Sequence, residues 1–163
     1  GDGKGKTTAA MGACLRAAGR QMQVGICQFI KSGDSGEIKI LSKLENVHIF
    51  PFLDKVKFTN SMSPQEHKEA CSFYGNLLNH IINKSKEFDL LLLDEAVDAV
   101  NAGLLDQKLL IEFITEKNQS TEIILTGRCP DHAFVQCADY ISEIRKIKHP
   151  FDKGHTARKG IEW

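Results

Sequence analysis

The chain's 163 residues are 42% hydrophobic and 26% charged, a balance that excludes disorder and supplies one domain with a core needing no metal or disulfide. Its 21 basic and 21 acidic residues cancel, which counts against nucleic acid or a membrane surface as partner, since both select a net basic face. The longest apolar run, Leu90 to Leu93, falls far short of the ~18 residues of a membrane helix.

In chain order, a glycine-rich loop opens the sequence and a helix is predicted over Thr7 to Ala18. A strand follows at Val24 to Ile30, then a helix at Glu37 to Leu44 and a strand at Val47 to Phe52. The clearest element is a helix over Pro64 to Lys86. Ser63-Pro64-Gln65-Glu66 spells a capping box with proline at the first helical position. Ala70, Tyr74, Leu77, Leu78, Ile81 and Ile82 then recur on one face. Leu90 to Leu93 reads as a buried strand, Asp106 to Lys117 as a helix and Glu122 to Leu125 as a strand. Apolar strands alternating with helices predict an α/β domain spanning residues 1–163, with a mostly parallel sheet covered on both faces.

Five cysteines, Cys14, Cys27, Cys71, Cys129 and Cys137, form no C-x-x-C pair. They predict free thiols in a reducing cytoplasm, not a disulfide framework or a zinc site. The chain opens inside a motif, so a strand ahead of Gly1 is expected, and a cleaved targeting peptide is compatible with that.

Ligands of such sheets bind at the carboxyl ends of the strands. Gly1-Asp2-Gly3-Lys4-Gly5-Lys6-Thr7-Thr8 is the strongest signal there. Glycines let consecutive N–H groups turn inward around a phosphate, and the following helix adds its positive end. Lys6 can reach outer phosphates, and Thr7 can offer its hydroxyl to Mg²⁺. The competing reading is a glycine turn that simply starts a helix. Leu93-Asp94-Glu95 ends a buried strand with two carboxylates suited to a metal, or else marks an acidic helix start. Glu95 could bind metal, bind nucleotide or activate water. Arg128, after Leu125-Thr126-Gly127, can pair with phosphates or stand as a surface arginine. The six histidines show no ligand spacing. Cys129 and Cys137 read as buried or incidental thiols, and Phe50, Phe52 and Phe113 as core.

With these residues on the page, the chain resembles the P-loop ATP:corrinoid adenosyltransferases of the cobalamin pathway, of the cob(I)alamin or cob(I)yrinic acid a,c-diamide type. The resemblance runs nearly end to end. It includes the loop, Gln28-Phe29-Ile30-Lys31, Leu93-Asp94-Glu95, Leu125-Thr126-Gly127-Arg128 and Ala138-Asp139. Its most specific part is the tail, Lys148-His149-Pro150-Phe151-Asp152-Lys153-Gly154 through Ala157-Arg158-Lys159-Gly160-Ile161-Glu162. The resemblance implies a P-loop NTPase-like (RecA-like) three-layer sandwich. It also implies transfer of the 5′-deoxyadenosyl group of ATP to a corrinoid cobalt, with release of triphosphate. Homodimers, Mg²⁺ or Mn²⁺, ATP bound in reversed direction and a reduced flavodoxin-type electron donor belong to the same implication.

Carried over, Gly1, Asp2, Gly3, Lys4, Gly5, Lys6, Thr7 and Thr8 would wrap the triphosphate. Thr7 and Glu95 would hold the metal with Asp94 close by, and Arg128 would steady the phosphates. Lys6, Glu95 and Arg128 would be the catalytic set. Gln28 and Lys31 fall on the family's Q-F-x-K run. Phe58 matches the first aromatic of a G-F-T-W loop thought to pack beneath the corrin, but Asn60 stands where tryptophan is expected. A P-loop phosphohydrolase or phosphotransferase, with Glu95 activating water, is the alternative that the loop and Asp94 fit equally. So does a nucleotide-gated binding module without turnover.

Overall fold

The structure is a computed structural model that describes residues 1–53, 61–116 and 120–161. Helix α1 (Lys6–Ala18) leads to strand β1 (Val24–Gln28), α2 (Gly36–Leu41) and β2 (Val47–Ile49). The long α3 (Pro64–Lys84) precedes β3 (Leu90–Asp94), α4 (Ala96–Asn101), α5 (Gln107–Glu116), β4 (Glu122–Leu125) and α6 (His132–Cys137). The four strands stand in the order β2-β1-β3-β4, and every neighbouring pair is parallel.

The central strands β1 and β3 are buried at every position, whereas β2 and β4 at the edges are not. Alternation along a strand then sorts side chains into two cores. Val24, Ile26, Leu90 and Leu92 pack beneath α1 and α2, against Ala10, Met11, Cys14, Ile38 and Leu41. Cys27, Phe29, Leu91 and Leu93 face the other way, toward Tyr74, Leu78, Ile81, Leu110 and Phe113. The expected three layers are therefore present, and the sheet is parallel throughout the described strands.

The Ser63 cap forms as the sequence predicts. Its hydroxyl accepts from the Glu66 N–H at 3.3 Å, while the Ser63 N–H donates to Glu66 Oε2 at 2.8 Å. Ala70, Tyr74, Leu77, Leu78 and Ile81 are buried, with Ile82 packed beside them. Phe50 and Phe113 are core, and Phe52 is half-buried against it.

Helix α3 ends at Lys84, two residues before the expected Lys86, and continues as a 3-10 turn over Ser85–Glu87. Three further boundaries differ by two residues or more from the sequence expectation. The first strand stops at Gln28 because Ile30 adopts φ 54, breaking the extended run, and its N–H donates to the Tyr74 hydroxyl at 3.1 Å. The second stops at Ile49, just before the Phe50 N–H makes a last bond to the Ile26 carbonyl at 2.9 Å. The helix expected to reach Leu44 ends at Leu41, and Lys43 and Leu44 close it with i→i−3 bonds. Helices α4 and α6 are additions. Each has six residues, too few for a 3.6-residue period to stand out from its surroundings. Among the described residues no helix is long and apolar enough to cross a membrane.

Candidate functional site

Register brings the first two site residues together. Gln28 lies opposite Asp94 at the carboxyl ends of β1 and β3. Asp94 shares its face with Leu90 and Leu92, the α1 side of the sheet. The first turn of α1 stands over that point, so Thr7 Oγ1 lies 3.1 and 3.2 Å from the two Asp94 oxygens.

Asp94 is fully buried, and five contacts from four side chains surround its carboxylate. Oδ1 accepts from Thr126 Oγ1 at 2.6 Å and from Thr7. Oδ2 accepts from Gln28 Nε2 at 2.9 Å, Lys31 Nζ at 2.7 Å and Thr7. Such a buried charge is tolerable because each oxygen is hydrogen-bonded and a cation faces it. Gln28 is itself braced, its Oε1 accepting from Ser35 Oγ at 3.5 Å.

Two left-handed turns aim the neighbouring charges. The Ile30 turn, held by Tyr74, delivers Lys31 Nζ to within 2.7 Å of Asp94 Oδ2. Glu95 also sits in the left-handed region, at φ 58 and ψ 19, a conformation that costs a non-glycine residue about 1–3 kcal/mol. Its N–H donates to Thr126 Oγ1 at 2.9 Å, and its Oε1 lies 3.3 Å from Lys31 Nζ. Lys31 Nζ also donates to Thr7 Oγ1 at 2.9 Å. Burial pulls the Lys31 pKa down, but the Asp94 and Glu95 carboxylates outweigh it and hold the ammonium above its ordinary value. Burial pushes Glu95 up, with Lys31 opposing.

The glycine loop is tied to residues 144–146, just ahead of the tail. Gly5 turns the chain into α1 at φ 108, a conformation open to glycine. The Gly3 N–H donates to the Ile144 carbonyl at 2.8 Å, and Asp2 Oδ1 accepts from the Lys146 N–H at 2.9 Å. That bond to Lys146 holds the Asp2 carboxyl below its ordinary range. Lys6 folds back onto its own loop, donating to the Gly3 carbonyl at 2.7 Å. Lys4 and Thr8 are exposed.

Arg128 lies at the same sheet edge but outside the cluster. Its side chain is exposed, and its carbonyl accepts from Asn101 Nδ2 at 2.9 Å. Among the described residues no hydrogen bond or ion pair joins its guanidinium to Asp94. Phe58 and Asn60 lie outside the described residues. Sequence reasoning missed Thr126, Tyr74 and Ser35. Thr126 stood two residues ahead of Arg128 at the end of an apolar strand, but nothing in a single threonine distinguishes a carboxylate partner from an ordinary strand end.

Among the described residues no three His, Cys, Asp or Glu side chains converge. A cation here would therefore meet two carboxylates and a hydroxyl, from Asp94, Glu95 and Thr7. Oxygen donors few in number suit a hard divalent ion that brings further oxygens with it, as Mg²⁺ does on a phosphate chain. The donor set fits the metal that the sequence leads one to expect.

The chain as a whole is similar in sequence to known proteins. A profile of the ATP:corrinoid adenosyltransferase BtuR/CobO/CobP family matches residues 1–163. The corrinoid adenosyltransferase of Escherichia coli (strain K12) is 32% identical over 166 residues, covering 100% of this chain and 82% of the relative. Corrinoid adenosyltransferase CobA of Salmonella typhimurium (strain LT2) is 32% identical over 168 residues with the same coverage, 100% and 82%. A corrinoid adenosyltransferase of Pseudomonas aeruginosa is 27% identical over 164 residues, covering 100% of this chain and 80% of the relative. A family match that begins in the glycine loop, crosses Asp94 and runs through the tail leaves no part of the fold outside it, and the chain belongs to the ATP:corrinoid adenosyltransferase family.

Proposed function

We propose that this chain transfers the 5′-deoxyadenosyl group of ATP to the Co(I) centre of a corrinoid, releasing triphosphate, in the making or salvage of adenosylcobalamin. The observation that carries this reading is the family match over residues 1–163. The glycine loop and Asp94 alone would serve a phosphohydrolase equally well.

The reaction needs no general base. The cobalt electron pair attacks C5′, the C5′–O bond breaks, and its electrons leave with the triphosphate. The protein's tasks are to hold C5′ in line and to stabilise the departing charge. Positioning of this kind is worth roughly 7–11 kcal/mol. The loop N–H groups other than that of Gly3, which is held by the Ile144 carbonyl, and the N-terminus of α1 are the donors for the triphosphate. Lys6, now resting on the Gly3 carbonyl at 2.7 Å, has that carbonyl to exchange for a phosphate oxygen. Thr7, Asp94 and Glu95 would hold Mg²⁺ or Mn²⁺, and a cation bound there neutralises part of the triphosphate charge. Gln28 and Thr126 keep the Asp94 carboxylate oriented. Arg128 reaches the phosphates from the sheet edge, and Lys31 lies at the same end of the sheet.

The finer parts of the proposal rest on the resemblance. The resemblance assigns Phe58, which lies outside the described residues, to the lower face of the corrinoid, with Asn60 in place of a tryptophan. A reduced flavodoxin-type protein supplies the electron that makes Co(I), in the cytoplasm, and residues 1–163 act as one domain. A second copy of the chain completes a homodimer. The exposure of Tyr140, Ile147 and Phe151 toward the end of the chain supports a covering partner.

The test is an anaerobic assay with MgATP and chemically reduced cobalamin, following corrinoid absorbance and the phosphate product. A light-sensitive alkylcobalamin with stoichiometric triphosphate is expected. Orthophosphate with an unchanged corrinoid would overturn the proposal in favour of hydrolysis.

A further inference from the structure

Three oxygens at the site form a small cage. Thr7 Oγ1, Asp94 Oδ2 and Glu95 Oε1 lie 2.9, 2.7 and 3.3 Å from one point, and that point is the Lys31 ammonium. These are the same three residues whose oxygens suit a divalent ion. We infer that Lys31 is a displaceable internal cation, seated on the divalent-cation position and leaving it when the ion arrives. The inference rests on the metal reading given under Proposed function.

The argument is one of space and charge. Mg²⁺ takes oxygen ligands at about 2.0–2.1 Å, so it cannot share a cage whose centre is already filled by a nitrogen. Leaving the cage without any cation would strand the fully buried Asp94 carboxylate beside Glu95, a costly arrangement. A lysine resolves this because its flexible four-carbon stem carries a compact point charge that can swing away. The side chain of Lys31 is 26% exposed whereas that of Asp94 is 0%, so the ammonium has a route outward and the carboxylate does not.

What remains after the swing is also built. Gln28 Nε2 and Thr126 Oγ1 stay on Asp94 at 2.9 and 2.6 Å, holding the carboxylate in place while its cation is exchanged. Lys31 starts within 2.9 Å of Thr7 in the first turn of α1. The released charge is thus delivered beside the glycine loop, where a polyphosphate would receive it. The consequence is coupling: a divalent ion alone must expel an ammonium, while one arriving with a triphosphate brings the ammonium a new partner. Cation and nucleotide therefore load together.

The experiment uses Mn²⁺ as probe, with binding read by electron paramagnetic resonance and stability by thermal melting. It compares the unaltered chain, K31M and K31M/D94N. Without nucleotide, K31M is expected to bind Mn²⁺ at least about tenfold more tightly than the unaltered chain, since a unit charge has left the site. Its melting temperature in EDTA should fall and be restored by Mn²⁺, whereas the unaltered chain should respond to Mn²⁺ only with ATP. K31M/D94N should lose the gain. Equal Mn²⁺ affinity in K31M and the unaltered chain, alongside normal Mn²⁺ binding with ATP, overturns the inference and leaves the metal reading standing. The inference also fails if K31M stays unfolded in Mn²⁺, or if K31M/D94N keeps the gain. Absence of Mn²⁺ binding by every form, even with ATP, overturns the metal reading and this inference together.

Discussion

Gln28 and Asp94 end adjacent parallel strands directly opposite each other, and the Gln28 amide donates to Asp94 Oδ2 across 2.9 Å. Both side chains are buried, at 1% and 0% exposure. A hydrogen bond to a buried charge is worth about 1.5–3 kcal/mol. Q28L should therefore destabilise the metal-free protein by about that amount, read as a lower urea midpoint with an unchanged slope. An unchanged midpoint would mean that the amide is not a support of Asp94.

Glu95 faces Lys31 from a strained turn, and the proposal makes it one of three oxygen donors to the cation. E95A should weaken Mn²⁺ binding in the presence of ATP by at least about 10–100-fold, the range seen when even an outer partner of a metal ligand is lost. Full adenosylation and full Mn²⁺ affinity in E95A would remove Glu95 from the site.

The loop and residues 144–145 are packed too closely to admit a side chain at Gly3. A Cβ there would come within 2.8 Å of Ile144 Cγ2 and the Arg145 carbonyl carbon, closer than real contacts allow. G3V should push residues 144–146 off the loop and abolish ATP binding, with the far-ultraviolet circular dichroism retained. Proteolysis within the tail should speed up at the same time. Unaltered ATP affinity would separate residues 144–146 from the site.

Burial, and next the charge of Asp94, pushes the Cys14 thiol up to about 12, and burial pushes Cys27 up as well. Folding thus favours their protonated forms. The stability this contributes is full below pH 9.0, the ordinary thiol value, and is lost as pH rises through the folded value. A thiol reagent at pH 8 should label the exposed Cys129 first and reach Cys14 and Cys27 only on unfolding. Between pH 8 and pH 11, C14A should lose less stability than the unaltered chain. A parallel loss would show that folding does not raise the Cys14 thiol.

The capping box of α3 offers a test remote from the chemistry. S63A removes the acceptor of the Glu66 N–H and should cost about 0.5–2 kcal/mol. Chemical denaturation reads the loss directly, and a null result would mean that water replaces the cap without penalty.

Local chemistry carried much of this protein. The capping box, the face of α3 and the apolar runs of β1 and β3 are patterns of residues a few places apart, so they were legible before any packing was known. Strand-end logic likewise pointed to Thr7, Asp94, Glu95 and Arg128, because a parallel sheet leaves its ligand edge just after each strand. Tertiary structure decided the partners. Thr7, Gln28, Lys31 and Thr126 come to Asp94 from separations of 87, 66, 63 and 32 residues, and no local period encodes such distances. The left-handed turns at Ile30 and Glu95 depend on Tyr74 and Thr126, both supplied by other elements. A side chain's type announces what it can bind; which charge it finally faces is set by strand order and register, and those are properties of the assembled core.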